Sequence, residues 1–153
     1  MAGPARSARP QAVLFACGMN AVRSPMAAAL FKHYFGRTYV SSAGVRKGEL
    51  DPFAVAAMEE LGLDITKHKP MTIEELEDWE GLNFDLIVTL SPEAHHKALE
   101  LTRTVAADVE YWPTPDPTPT EGSREQRLDA YRAVRDQLSR RIRERFTEKV
   151  GNE

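Results

Sequence analysis

The sequence predicts an α/β protein: a three-layer fold in which a four-stranded parallel sheet carries helices on both faces. Three observations predict it. Short apolar runs alternate four times with helix-like stretches, and that alternation builds βα units with right-handed crossovers. The first run, Ala12–Ala16, shows no polar alternation, as a strand buried on both faces does. Three helices open on a capping residue followed by proline, at Ser24-Pro25, Asp51-Pro52 and Ser91-Pro92.

Residues 1–10 are small, basic and proline-bearing and read as a flexible tail, leaving 11–153 as a single domain. After the strand Ala12–Ala16, a helix from Pro25 sets Met26, Leu30 and Tyr34 beside Ala27, Phe31 and Phe35, and Gly36 stops it. His33 reads as a surface or core-edge residue. Thr38–Ala43 is the second strand, ended by Gly44. A polar loop, Val45–Leu50, then leads to a helix capped at Asp51. Its buried face is marked by Ala54, Ala57, Met58 and Leu61, and Gly62 terminates it. Thr72-Ile73-Glu74-Glu75 has the capping-box form and starts a short acidic helix anchored by Leu76 and Trp79. Asn83–Leu90 is the third strand, and Ser91-Pro92 opens the next helix. His95 and His96 lie early in that helix about 100° apart, so they do not converge on a metal and are expected in solvent. Asp108–Trp112 is the fourth strand. Pro113, Pro115, Pro117 and Pro119 then stiffen an extended segment without a P-x-x-P frame. Ser123-x-x-Gln126 caps a last long helix whose seam is Leu128, Tyr131, Leu138 and Ile142. Its arginines alternate with glutamates and read as a solvated face.

The chemistry concentrates at Cys17-Gly18-Met19-Asn20-Ala21-Val22-Arg23-Ser24, between the first strand and the first helix. A loop there presents backbone N–H groups, and the positive end of the helix points at the same spot. Arg23 adds a planar fork that matches two phosphate oxygens. The same field favours a thiolate at Cys17, so one loop can both grip a phosphate and attack its phosphorus. The alternative is that a lone cysteine ending a buried strand is a small core hydrophobe. Ser24 can bond the sulfur, cap the helix, or do both. In a parallel sheet, the loops after the first and fourth strands lie at the same end, which puts Asp116 near Cys17. A phosphomonoester attacked by a thiolate needs a proton on its leaving oxygen, and Asp116 can supply it.

This segment resembles the phosphate-binding loop of the low-molecular-weight protein tyrosine phosphatases, C-x-G-N-x-C-R-S. On that resemblance Cys17 is the nucleophile, Asn20 braces the loop, Arg23 binds phosphate and Ser24 bonds the sulfur, while Gly18, Met19, Ala21 and Val22 contribute to substrate binding. Met19 replaces the motif's glycine and Val22 its second cysteine. The resemblance extends over nearly the whole chain: Ser-Ala-Gly, Asp-Pro and Gly-Leu-Asp-Ile-Thr in the second βα unit match the family, and Asp116-Pro117 resembles its acid loop. It implies that residues before Asp51 rim the site, with Arg46, Lys47 and Glu49 as candidates. Two further departures concern Ser91, where the family often carries an acidic residue, and Thr118, where many members carry a tyrosine that stacks on phosphotyrosine. The wall here is then expected from Phe53, Trp112 or Met19, or is missing.

The expected function is therefore phosphomonoester hydrolysis through a phosphocysteine, with a phosphotyrosine protein or a small phosphomonoester as substrate. Phosphate, sulfate or vanadate is expected to occupy the loop. No metal or other cofactor is expected. Two alternatives remain: an arsenate reductase using an external thiol, which shares the scaffold, and a non-catalytic oxyanion- or phosphopeptide-binding domain. Formal net charge is −3, which supplies no basic field for nucleic acid. No apolar run reaches the roughly 20 residues of a membrane span, and the N-terminus lacks a secretory signal's apolar core. The single cysteine fits a reducing, cytoplasmic setting.

Overall fold

The computed structural model describes residues 10–147. The expected tail therefore lies, save Pro10, outside the described residues. Nine elements follow in order: β1 (Ala12–Cys17), α1 (Arg23–Tyr34), β2 (Tyr39–Gly44), α2 (Pro52–Glu59), α3 (Ile73–Glu80), β3 (Leu86–Thr89), α4 (Pro92–Leu101), β4 (Asp108–Tyr111) and α5 (Arg124–Phe146). The strands form one parallel sheet in the order β2-β1-β3-β4, with Phe15 opposite Ser42 on one side and Val88 on the other. None of the described helices is long and apolar enough to cross a membrane.

The expected layering is present, and β1 shows why. Its side chains alternate between two cores. Val13, Phe15 and Cys17 face α1, α2 and α5; Leu14 and Ala16 face α3 and α4. Both sides are apolar because both are covered, which is why the strand carries no polar alternation. On the α5 side the core is aromatic. Phe31 meets Phe146 edge-on at 5.0 Å, and Trp112 meets Phe15 at 6.0 Å. The winding reverses at β1, which pairs with β2 on one side and β3 on the other, so a crevice opens at its carboxyl end.

The caps form as expected. Asp51 accepts from the Phe53 N–H, Ser91 from Ala94, and both capping boxes, Thr72 with Glu75 and Ser123 with Gln126, are closed. Other details differ. α1 starts at Arg23 with no side-chain cap and ends at Tyr34. Leu61 is exposed, because α2 ends at Glu59 and Gly62, at φ +76, turns the chain so that Leu63 packs on the core instead. Trp79 is 83% exposed rather than an anchor. It sits about 90° around α3 from the line through Ile73 and Leu76, which carry the buried face. The third strand is shorter than expected, spanning Leu86–Thr89; just before it the Asp85 carboxylate takes the N–H groups of Gln11 and Ala12, at the amino-terminal end of the two central strands. His33 is exposed, whereas His95 is half-buried, stacked on Tyr111 at 4.6 Å with Nδ1 against Thr89.

α2 is tied to α5 by Glu60, which accepts from Arg132 and Arg135. Those contacts, Arg132's first, hold its carboxyl down at about 2. An unfolded glutamate titrates near 4.3, so this tie contributes fully above that pH and is lost as pH falls toward 2. The wild-type thermal midpoint is thus expected to drop more steeply between about pH 5 and 2 than that of Glu60→Gln. Parallel acid profiles for the two proteins would rule the tie out as a source of acid sensitivity.

Candidate active site

The loop between β1 and α1 is shaped by where its carbonyls go. Six consecutive carbonyl oxygens, from Cys17 to Val22, all turn outward and are satisfied. Those of Cys17, Gly18, Met19 and Ala21 accept from the N–H groups of Val45, Arg46, Gly48 and Asp51. Asn20 O meets His68 Nε2 at 3.0 Å, and Val22 O takes the Met26 N–H, opening α1. With the carbonyls out, the N–H groups point inward, which makes a nest suited to an anion. The reversal needs Asn20 at φ +56, a conformation asparagine tolerates better than most side chains. It also needs Gly44, where a Cβ would stand 2.8 Å from Asn20 N.

Asn20 is fully buried, and its side chain is spent on bracing. Its amide donates to Ser24 Oγ at 2.9 Å and to Ser42 Oγ at 3.0 Å, and its Oδ1 accepts from Met71 N at 2.9 Å. Ser24 Oγ stands 2.9 Å from Cys17 Sγ. The Asn20 amide donates to that oxygen, which leaves the hydroxyl proton free to donate to a Cys17 thiolate. Asn20 N–H also donates to Sγ, at 3.3 Å. The open question about Ser24 is thereby settled: its side chain serves the sulfur, and no side chain caps α1.

Arg23 begins α1 and donates Nη1 to Thr114 O at 3.0 Å, from the segment that follows β4. A cavity of about 200 Å³ is lined by Cys17, Met19, Ala21, Val22, Arg23, Gly48, Glu49, Asp51, Asp116 and Thr118. Residues roughly 100 positions apart in sequence thus share one wall. Asp116 is exposed there, its Oδ1 accepting from Thr118 N at 3.0 Å. Gly18 is buried beside the cavity, under the Glu93 carboxylate.

The sequence pattern of the low molecular weight phosphotyrosine protein phosphatases matches residues 12–153. The chain belongs to that family. An arsenate reductase of Bacillus subtilis (strain 168) is 34% identical over 134 residues, spanning 86% of this chain and 92% of the relative. The structure of a low molecular weight protein tyrosine phosphatase from T. tengcongensis superposes with a TM-score of 0.69 at 26% identity, covering 86% of this chain and 95% of that one. An arsenate reductase in its phosphate-binding state superposes at 0.66 with 27% identity, covering 88% and 95%. This is a family of cysteine-based enzymes with both activities represented among its members.

Of the residues expected to form the site, Cys17, Arg23 and Asp116 line this one cavity, and Asn20 and Ser24 contact the Cys17 sulfur behind it. The expected aromatic wall is not among the cavity's lining residues. Trp112 is 2% exposed in the core, and Phe53 stacks on Tyr131 under the Arg127 guanidinium. Met19, the third residue expected there, does line the cavity, against Gly48. Of the rim candidates only Glu49 lines the cavity; Arg46 pairs with Glu93 and Lys47 with Glu75, each at 2.8 Å. Arg46 is the main reason the Glu93 carboxyl lies below its usual range. Sequence reasoning missed Ser42, His68 and Met71, which hold Asn20, and the role of residues 45–51 as acceptors' partners. No local pattern marks a backbone N–H as the partner of a distant carbonyl. Burial is the main influence on His68, moving it below the ordinary histidine value.

Proposed function

We propose that this protein is a phosphomonoester hydrolase, acting on phosphotyrosine, that works through a phosphocysteine. One observation carries the reading: six outward carbonyls leave a nest of N–H groups around Cys17 Sγ, and Arg23 and Asp116 line the same cavity as Cys17. The nest and the Arg23 fork hold the equatorial phosphoryl oxygens. The Cys17 thiolate attacks phosphorus; the P–O bond to the leaving group breaks, and the Asp116 carboxyl gives that oxygen its proton. The Asp116 carboxylate then takes a proton from water as that water attacks the phosphocysteine. The P–S bond breaks, and the Ser24 hydroxyl stabilises the departing sulfur. Sulfate or vanadate fits the same nest. The mechanism needs a reduced Cys17, which fits a reducing, cytoplasmic setting.

A second reading, arsenate reduction, is favoured by the names of relatives such as the one in Bacillus subtilis. Arsenate suits the same nest. Its two-electron reduction needs two thiols, and Cys17 is the chain's single cysteine, so the second must come from an external thiol. Hydrolysis of p-nitrophenyl phosphate, run beside arsenate reduction with added thiols, separates the two. Hydrolysis with no reduction is expected, and the reverse result overturns the proposal.

Asp116→Asn is expected to slow phenyl phosphate far more than p-nitrophenyl phosphate. A basic leaving oxygen depends most on a proton donor, whose contribution is about 10²–10⁴-fold. Equal slowing of both substrates would make Asp116 positional.

A further inference from the structure

The three residues that hold Asn20 also line a second groove, which shares no lining residue with the Cys17 cavity. Ser42 Oγ accepts from the Asn20 amide at 3.0 Å, Met71 N–H donates to Asn20 Oδ1 at 2.9 Å, and His68 Nε2 donates to Asn20 O at 3.0 Å. The groove, of about 500 Å³, lies between α1, β2 and residues 63–71, a loop that carries no helix or strand. Small-molecule sites usually enclose about 300–1,000 Å³. Ala28 and Ala29 of α1 leave room on one side, and Lys32, Lys67 and Lys69 line the rest. These three lysines are exposed, and among the described residues none of them pairs with a carboxylate. Lys47 and Lys97, by contrast, close on Glu75 and Glu74. Asp64 is the groove's single lining carboxylate, and its Oδ1 already accepts from the Thr66 N–H and hydroxyl.

We propose that this groove binds a small polyanion, a polyphosphate or a polycarboxylate, and that its occupant braces Asn20 and tightens the nest. Recognition is by charge: three ammonium groups against one carboxylate leave two positive charges in excess. The tightening follows from where the lysines stand. Lys32 belongs to α1, whereas Lys67 and Lys69 flank His68 on the loop, so an anion shared among them ties the loop to the helix. The loop carries His68 and Met71, two of the three supports of Asn20. Asn20 in turn donates its N–H to Cys17 Sγ at 3.3 Å and its amide to Ser24 Oγ at 2.9 Å. With the loop held, less ordering is left for the nest's own ligand to impose, so that ligand binds more tightly. The inference holds for phosphate or arsenate in the nest and is independent of the reaction that follows.

The test is an NMR titration of the full-length, isotope-labelled protein with citrate and, separately, with pyrophosphate, at constant ionic strength. Saturable shifts are expected at the amides of Lys67, Lys69 and Met71, and the tighter of the two probes names the anion's chemistry. The double variant Lys67→Gln, Lys69→Gln is expected to weaken that binding about tenfold, because each lysine supplies a charged hydrogen bond. Both side chains are exposed, so the fold is not at stake. Inorganic phosphate is then read at the amides of residues 18–23. It is expected to bind the wild type about fivefold more tightly with the groove filled, at the low end of ordinary couplings, and to show no such gain in the double variant. Shifts confined to the nest amides, or equal probe affinity in the double variant, would overturn the site. Phosphate affinity that does not rise with the groove filled would overturn the coupling. Neither readout uses turnover, so a protein that hydrolyses no phosphomonoester sinks the phosphatase reading and leaves this test intact.

Discussion

Cys17→Ser is expected to abolish hydrolysis of p-nitrophenyl phosphate while leaving phosphate or vanadate binding measurable. Loss of a covalent nucleophile elsewhere costs on the order of 10⁶ in kcat, and the same scale is expected here. Binding survives because the nest acts through N–H groups that depend on residues 45–51 and His68 for their direction, and none of these contacts involves the sulfur. The serine hydroxyl is a far weaker nucleophile than a thiolate in the same place. The Ser24 and Asn20 contacts, at 2.9 and 3.3 Å, show a pocket arranged around sulfur, so oxygen loses their support as well. Steady-state rates and isothermal titration with phosphate check both halves. Substantial turnover by clean Cys17→Ser protein would sink the covalent mechanism.

Arg23→Lys comes second in expected size. Loss of one preorganised donor to a developing anion costs about 10²–10³ in kcat, and lysine is expected to fall in that range although it keeps the charge. Arg23 commits Nη1 to Thr114 O at 3.0 Å and still has its other guanidinium donors for a ligand. Lysine has one nitrogen and cannot hold the strand-end carbonyl and present a planar fork together. The Thr114 carbonyl would lose its partner from Arg23, loosening the segment that carries Asp116. kcat and KM for p-nitrophenyl phosphate are the measurement. Near-wild-type values would mean that fork geometry plays no part.

The two variants probe features of different legibility. The pair Cys17 and Arg23, at six-residue separation between an apolar run and a helix, could be read directly, because strand, turn and helix are short-range patterns. The direction of the loop's peptide groups could not. It is set by N–H groups of Val45, Arg46, Gly48 and Asp51, and a backbone donor has the same chemistry whatever its side chain. Phe53 and Trp112 show the opposite failure. Their aromatic character was legible, but whether a ring lines a cavity or fills a core depends on which helix lies over it, and α5 places Tyr131 and Phe146 against them.

By itself, then, the sequence determined the βα alternation, the caps at Asp51, Thr72, Ser91 and Ser123, and the convergence of Cys17 with Asp116 at one sheet end. All of these follow from local spacing and from the rule that parallel strands share a polarity. Only the tertiary structure decided that Ser24 serves the sulfur, that Glu49 lines the cavity while Arg46 and Lys47 turn to other carboxylates, and that Tyr131 reaches Asp51 beside the acid loop. Those choices are made by contacts between distant segments, where several partners are chemically equivalent and packing alone selects among them.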